Sequence, residues 1–388
     1  MRVLFAFAGG SGHVDPLVPI AAAAEARGHT VAVTGKAAIV PAVEALGFSV
    51  FPTGPGGTEL STERLPLLEL SSEREDEVLR DGFAGHIARR RAGDILELSA
   101  DWRSDLIVCD EADFGSMAAA ERLGLPYATV LVIAAGSFVR HELVAAPLAT
   151  LRAEHGLPSD PEGAMLSRYL VLSPFPPGYR DPAHPLPATA HSFRPLTVNP
   201  DGAPQWPVGL PGAPTVLFTL GTVFNRESGD LFERVLAGLR ELPLNVVATV
   251  GPQIDPEELG PPSRNVHLAR YIPQSLVLPH CRAVVSHGGS GSVMGALAHG
   301  LPLVLLPMGA DQPHNAARCV ELGVARVLDA VRATPEAVRE AVSAVLSEGA
   351  YRRTAERLRD EIAALPGPEH AVALLERLVR ERRPLLSA

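Results

Sequence analysis

Ser286-His287-Gly288-Gly289-Ser290-Gly291-Ser292-Val293-Met294-Gly295-Ala296-Leu297-Ala298-His299-Gly300 runs into Leu301-Pro302-Leu303-Val304-Leu305-Leu306-Pro307 and then Met308-Gly309-Ala310-Asp311-Gln312-Pro313-His314-Asn315. The short apolar run at 283–286 reads as a buried parallel strand. A Gly/Ser-rich turn follows, and then a helix of small residues. That order aims unpaired backbone N–H groups and the positive end of a helix dipole at one point, which makes a site for an anion, most simply a phosphate. His287 sits at the turn and adds a donor. A second strand at 303–306 ends at Pro307 and brings Asp311 and Gln312 to the same edge of the sheet. Strand, tight turn, helix, strand is the unit of a doubly wound α/β protein.

Working outward, a chain of 388 residues is long for one core, so two domains are expected. Hydrophobic residues at 46% with charged residues at 20% suit a globular protein with a sizeable core. The formal net charge of -10 and the lack of a basic cluster argue against nucleic acid as a partner. Cys109, Cys281 and Cys319 are few, odd in number and far apart, so neither a disulfide framework nor a structural zinc site is implied. The apolar start at 2–8 is only a strand's length and lacks a signal peptide's longer core. No run is long enough to span a bilayer. The expectation is a cytoplasmic protein without a membrane partner.

Taken in order, strands are expected at 2–8, 30–34, 49–52, 106–109 and 127–133. Helices are expected from about 15 to 27, with Pro16 in the first turn, and at 39–46, 73–100, 114–123 and 138–154. The stretch 53–72 is rich in Gly, Pro, Thr and Glu and too long for a simple connector, so it is either mobile or a binding loop. The proline-rich stretch 174–214 excludes a regular helix or a central strand. A second series has strands at 215–220, 245–250, 266–268, 283–286, 303–306 and 325–328. Its helices are expected at 228–240, 273–278, 290–299, 314–322, 335–346 and 351–365, with a last amphipathic helix at 369–382. No repeat at solenoid spacing is present. The domains expected are 1–196, a linker at 197–212, 213–368, and a C-terminal helix at 369–388. Ligands of such sheets bind beyond the carboxyl ends of the strands, so a cleft between the two halves is the natural active site.

Several further stretches carry polar groups at strand ends. Gly10-Ser11-Gly12-His13-Val14-Asp15 begins like a dinucleotide fingerprint, but its sixth position is Asp15, and the second strand ends in Val33-Thr34-Gly35 with no acid for a ribose. NAD is therefore disfavoured. A Walker A loop is excluded, because Lys36 is the only lysine and Ala37 follows it. His13, on a glycine-tight loop at a strand's carboxyl end, suits a general base near neutral pH. Such a base needs a carboxylate to set its tautomer. Asp110 is the best candidate, with Glu111 and Asp113 as alternatives or as helix-start acids. Thr222 follows Gly221 at a strand end, where a hydroxyl reaches a phosphate oxygen or simply ends the strand in a turn. Tyr271, in Arg270-Tyr271-Ile272-Pro273-Gln274, offers a flat face to a base or packs as an ordinary aromatic.

Together these residues resemble the GT-B nucleotide-sugar glycosyltransferases that decorate small natural products. They are most similar to bacterial enzymes that attach deoxysugars to enediynes, macrolides and aromatic polyketides. The resemblance spans essentially the whole length and is carried by 9–16, 106–110, 218–225, 270–274 and, above all, 286–315. It implies an α/β fold of two Rossmann-like domains facing across a cleft, with the C-terminal helix packing back on the N-terminal domain. The N-terminal domain would bind the acceptor and the C-terminal domain the nucleotide-sugar. The resemblance makes His13 the base that deprotonates the acceptor hydroxyl and Asp110 the carboxylate that orients it. It places Thr222, His287, Gly289, Ser290, Gly291 and Ser292 at the diphosphate. Tyr271 and Ile272 would meet the nucleobase, Gln274 would close the same loop, and Asp311 and Gln312 would face the sugar. Phe83, Phe114, Phe138 and His141 are the expected acceptor contacts, although a phenylalanine is more often core.

One departure from the family pattern matters. Many UDP-sugar members carry a glutamate three residues after the position of Ser292, and here that residue is Gly295. A buried carboxylate facing a missing 2′-hydroxyl lacks a partner, so Gly295 favours a dTDP donor. The expected reaction is inverting transfer from a dTDP-sugar to a hydroxyl of an aglycone in antibiotic biosynthesis. It needs no cofactor and no metal, as no Asp-x-Asp pair ends a strand. The partners expected are the donor and a small aglycone, and a homodimer is an assembly to test for. Competing readings are a sugar-nucleotide epimerase, a transferase acting on a lipid acceptor, and an activator protein that kept the fold and lost catalysis.

Overall fold

The structure is a computed structural model that describes residues 1–53, 64–195, 212–221, 224–260 and 265–387. The expected linker at 197–212 lies outside the described residues apart from Gly212, as do Thr222 and part of the loop at 53–72. The chain divides into two compact units. The first comprises the described residues of Met1–Thr58, Ser72–Asp201 and Ala364–Ala388, and the second those of Glu59–Ser71 and Gly202–Ala363.

In the first unit the strands are β1 (Arg2–Ala6), β2 (Thr30–Lys36), β3 (Val50–Thr53), β4 (Leu106–Asp110), β5 (Tyr127–Val130), β6 (Leu170–Ser173) and β7 (Ala190–Ser192). They form one sheet of order β3-β2-β1-β4-β5-β6-β7, and every neighbouring pair is parallel. Parallel strands need crossover connections, and the helices that supply them cover both faces of the sheet. This is why Val3-Leu4-Phe5-Ala6 and Leu106-Ile107-Val108-Cys109 are apolar throughout rather than alternating, and why all eight residues are buried. The helices are α1 (Ser11–Val14), α2 (Val18–Ala26), α3 (Val40–Glu44), α4 (Ser72–Glu77), α5 (Ala88–Asp101), α6 (Phe114–Arg122) and α7 (His141–Glu154), with a helical stretch, Val78–Ile87, kinked at Gly85, joining α4 to α5.

Three expectations shift in this unit. The helix expected from about residue 15 begins at Val18, with Pro19 in its first turn, and a separate short helix, α1, forms at 11–14 where a loop was expected. Pro16 between them lacks the N–H that one continuous helix would need. Strand β6 was not legible as a strand, since its apolar run is only four residues and leads into the prolines. Strand β7 lies inside the proline-rich stretch, but at the sheet edge, where proline neighbours are tolerated.

The second unit has β8 (Thr215–Thr219), β9 (Asn245–Thr249), β10 (Val266–Ala269), β11 (Cys281–Ser286), β12 (Leu303–Leu305) and β13 (Ala325–Val327). They form a second all-parallel sheet of order β10-β9-β8-β11-β12-β13. Its helices are α8 (Leu231–Arg240), α9 (Gln274–Val277), α10 (Ser290–Ala298), α11 (Gln312–Leu322), α12 (Pro335–Ser347) and α13 (Gly349–Ala364). The described end of the expected loop at 53–72 belongs to this unit rather than to the first. Leu65 pairs through its backbone with Arg226 and Gly229, and Leu67 packs on the second core.

The last helix, α14 (Pro368–Glu381), belongs to the first unit. Its apolar face, with Ala371, Val372, Leu375 and Leu378, is buried in one core with Val18, Ile20, Ala21 and Ala24 of α2. Arg27 and His29 donate to the Glu376 carboxylate at the rim of that contact. The C-terminal helix therefore packs back on the N-terminal unit, as the sequence reading expects.

Candidate active site

In the first unit the polar groups gather beyond the carboxyl ends of β1, β4 and β5. Asp110 ends β4 and is fully buried. Its Oδ2 accepts from the Ala8 N–H at 2.7 Å and its Oδ1 from the Ala112 N–H at 2.7 Å, so the carboxylate is held from two sides. Oδ1 also lies 3.1 Å from His13 Nδ1. A carboxylate partner assigns the proton to Nδ1, which leaves Nε2 with a lone pair able to accept one. Gly9 makes room for that ring: a Cβ there would lie 2.1 Å from His13 Cδ2. Phe83, two residues before the kink at Gly85, stacks on the imidazole with centroids 5.3 Å apart and planes 14° apart.

The structure sorts the three acids that the sequence left open. Asp110 takes His13. Asp113 caps α6 through Ser116 N–H and pairs with the buried Arg91 at 2.8 Å. Glu111 turns to the loop after β5 and accepts from the N–H groups of Val132 and Ile133 at 2.6 and 2.7 Å. Burial pushes its carboxyl up to about 7, against the Arg180 charge and those two bonds.

Of the four expected acceptor contacts, Phe114 is corrected. It is fully enclosed among Met117, Tyr127 and other core side chains and presents no surface to a ligand. Phe138 is also buried but keeps 9% of its surface exposed, and His141 is exposed at the start of α7.

In the second unit β11 ends at Ser286, and the turn His287-Gly288-Gly289 leads into α10. Gly288 has φ 91°, a conformation only glycine adopts without strain. His287 is 9% exposed, and its ring lies against glycine backbone on two sides. A Cβ on Gly289 would sit 2.5 Å from its Nε2, and one on Gly221 2.7 Å from its Cε1. Burial pushes its pKa down to about 4, against a hydrogen bond with the Thr219 backbone, so the ring is neutral at pH 7 and carries one N–H. Its Nδ1 is buried and has no hydrogen-bond partner among the described residues. The first N–H groups of α10 have no acceptor within the helix, and the cap residue Gly289 has no side chain to cover them. This cluster of donors is built to receive an anion.

The turn is braced from α11, by a residue to which the sequence reading assigned no role. Asn315 Nδ2 lies 3.0 Å from the Gly288 carbonyl and 2.8 Å from Asp311 Oδ2, while Ser290 Oγ donates to the same Asp311 oxygen at 2.6 Å. The Ser290 hydroxyl proton is thus committed inside the protein. Gln312 is buried, and its Oε1 accepts from Met308 N–H at 2.8 Å, so that oxygen holds the turn instead of meeting a sugar. Spacing was the available signal for Asn315, since it follows Asp311 by one helical turn.

The loop before α9 places Tyr271 with 65% of its surface exposed and Ile272 buried behind it. Gln274 Nε2 donates to Ser292 Oγ at 3.2 Å, which ties this loop to α10. Gly295 is roofed by the same side chain: a Cβ there would lie 3.2 Å from Gln274 Oε1 and 3.2 Å from Leu278 Cδ1. Among the described residues no group of three or more His, Cys, Asp or Glu is gathered as metal ligands. No helix among them is long and apolar enough to cross a membrane.

Comparison with known proteins decides the family. Residues 233–378 match the family described as erythromycin biosynthesis protein CIII-like, C-terminal domain. Along 97% of its length the chain is 32% identical to 4'-demethylrebeccamycin synthase of Lentzea aerocolonigenes, covering 99% of that protein. The chain belongs to the antibiotic glycosyltransferases. Another of these glycosyltransferases, the L-demethylnoviosyl transferase of Streptomyces niveus, is 30% identical with both chains fully covered. Among solved structures, the calicheamicin glycosyltransferase CalG4 superposes with a TM-score of 0.78 at 26% identity, covering 99% of each chain. The glycosyltransferase VinC, solved in complex with dTDP, gives a TM-score of 0.76 at 26% identity over 98% of this chain and 100% of that one. The two parallel sheets are therefore those of the GT-B glycosyltransferase fold. The enzyme is a glycosyltransferase of natural-product biosynthesis.

Proposed function

We propose that this glycosyltransferase moves a deoxysugar from a dTDP-sugar to a hydroxyl of a small aglycone, with inversion and without a metal. The His13–Asp110 pair carries the reading. As the acceptor oxygen bonds to the anomeric carbon, its proton passes to His13 Nε2, and the bond from that carbon to the diphosphate oxygen breaks. Asp110 holds the imidazole in the accepting tautomer and stabilises the imidazolium that forms. Negative charge grows on the departing diphosphate. The N–H groups at the start of α10 are fixed donors that stabilise it without reorganising, beside the neutral imidazole of His287. Thr222, Gly289, Gly291 and Ser292 complete that side, Tyr271 and Ile272 take the base, Gln274 closes over them, and Asp311 faces the sugar. Phe83, Phe138 and His141 flank the acceptor.

Replacing His13 by Ala should lower turnover roughly a hundredfold or more, the scale of a lost general base. Binding of dTDP, measured by calorimetry, should hardly change. Undiminished turnover would remove His13 from the mechanism. The dTDP preference rests on Gly295, which offers no acid for a 2′-hydroxyl and leaves its place beside Gln274, whose Oε1 would lie 3.2 Å from a Cβ there. Turnover with dTDP-glucose should exceed that with UDP-glucose, and equal or better turnover with UDP-glucose would refute the preference.

A further inference from the structure

Glu111 is a buried acid at the sheet edge of the first unit that the reaction above does not use. It follows Asp110 directly, yet it reaches the opposite neighbour. Asp110 fixes the loop after β1 through Ala8 and His13, while Glu111 fixes the loop after β5 through Val132 and Ile133. The same loop is gripped from its other side. Arg180 Nη1 donates to the Ile133 carbonyl at 3.4 Å, and Asp181 N–H donates to the Ala135 carbonyl at 3.2 Å. Gly136, at φ 88°, gives way to Arg180, since a Cβ there would lie 1.8 Å from the guanidinium carbon. Residues 132–136 therefore have their backbone held at several points, and the loop leads on to Phe138. One peptide bond joins the carboxylate that aims the base to the carboxylate that sets this loop.

We infer that Glu111 is a positioning residue for the acceptor: it fixes the loop of residues 131–138 in register with His13, so that the acceptor hydroxyl is presented to Nε2. This rests on the proposed acceptor role of the first unit. Glutamine keeps a carbonyl oxygen for both N–H groups, whereas alanine removes it.

The test compares Glu111→Ala, Glu111→Gln and Phe138→Ala with the wild-type enzyme, using dTDP-glucose as donor and the phenol 4-methylumbelliferone as acceptor. Glu111→Ala should raise the KM for the phenol about tenfold, as expected for lost hydrogen bonds to buried N–H groups. The KM for dTDP-glucose should stay within about twofold and the glutamine variant within about threefold of wild type for both substrates. Amide exchange at Val132 and Ile133 should quicken about tenfold in the alanine variant, with residues 9–16 unchanged. Unchanged exchange at those two amides overturns the inference, as does an equal rise in both KM values. If Phe138→Ala raises the phenol KM but Glu111→Ala does not, the inference fails and the acceptor reading stands. If neither variant moves it, the acceptor reading itself is refuted, and this inference with it.

Discussion

His13 keeps its place because Gly9 has no side chain. The imidazole lies where a Cβ on residue 9 would be, pinned between Asp110 and the Phe83 ring. Gly9→Ala should therefore displace the base without touching it chemically. Turnover should fall roughly tenfold to a hundredfold, the penalty of a misplaced reacting group. Affinity for dTDP should hold, and unaltered turnover would show that the loop yields to the methyl group. At this scale the sequence was partly legible. A histidine on a glycine-tight loop and an acid at the next strong strand end are chemical signals, and they named His13 and Asp110. What each acid of 110–113 does was not legible, because consecutive side chains at a strand end diverge by directions that only the neighbouring loops determine. The enclosure of Phe114 was hidden for a related reason: aromatic residues at a helix start look alike whether they face a core or a ligand.

At the scale of elements, the C-terminal helix shows which interactions matter. Leu375 is fully buried between α2 and the sheet, whereas Arg27, His29 and Glu376 meet at a partly exposed rim. Leu375→Ala should cost about 2–5 kcal/mol, the usual range for a buried leucine. Glu376→Gln should cost less than about 1 kcal/mol, the range of exposed ion pairs. Chemical denaturation of the two variants checks the contrast, and equal losses would refute it. The periodicity of this helix was readable from its own residues. Strand β6 and the split between α1 and α2 were not, because a four-residue apolar run and a proline-punctuated helix give too little pattern to separate strand, helix and turn.

At the scale of the whole molecule, the two units carry opposite pH dependences. Glu111, in the first, has its carboxyl raised to about 7, so between its ordinary value and 7 the folded state holds a proton that the unfolded chain has lost. Stability of that unit falls as pH rises through this window. His287, in the second, is lowered to about 4, so between 4 and its ordinary value the unfolded chain holds the extra proton. Stability of that unit rises with pH over that window. Each slope reaches about 1.4 kcal/mol per pH unit at most. Moving from pH 7 to pH 5 should slow global amide exchange in the core of the first unit and hasten it in the second, after correction for the intrinsic pH effect. Glu111→Gln should weaken the first trend, leaving the part that Asp15 contributes with its carboxyl raised by burial to about 6, and should leave the second untouched. Parallel trends in both units would refute the assignment.

The return of α14 to α2 also sets an order of assembly. The ribosome delivers residues 1–201 early, at about 5–20 residues per second. Yet the surface of α2 stays uncovered until residues 368–381 emerge, after everything that belongs to the second unit has been made. During synthesis the N-terminal unit is thus the last to be finished, with an apolar groove on offer to chaperones for most of translation. A nascent chain stalled before Pro368 should hold a completed second unit beside a first unit still waiting for its final helix.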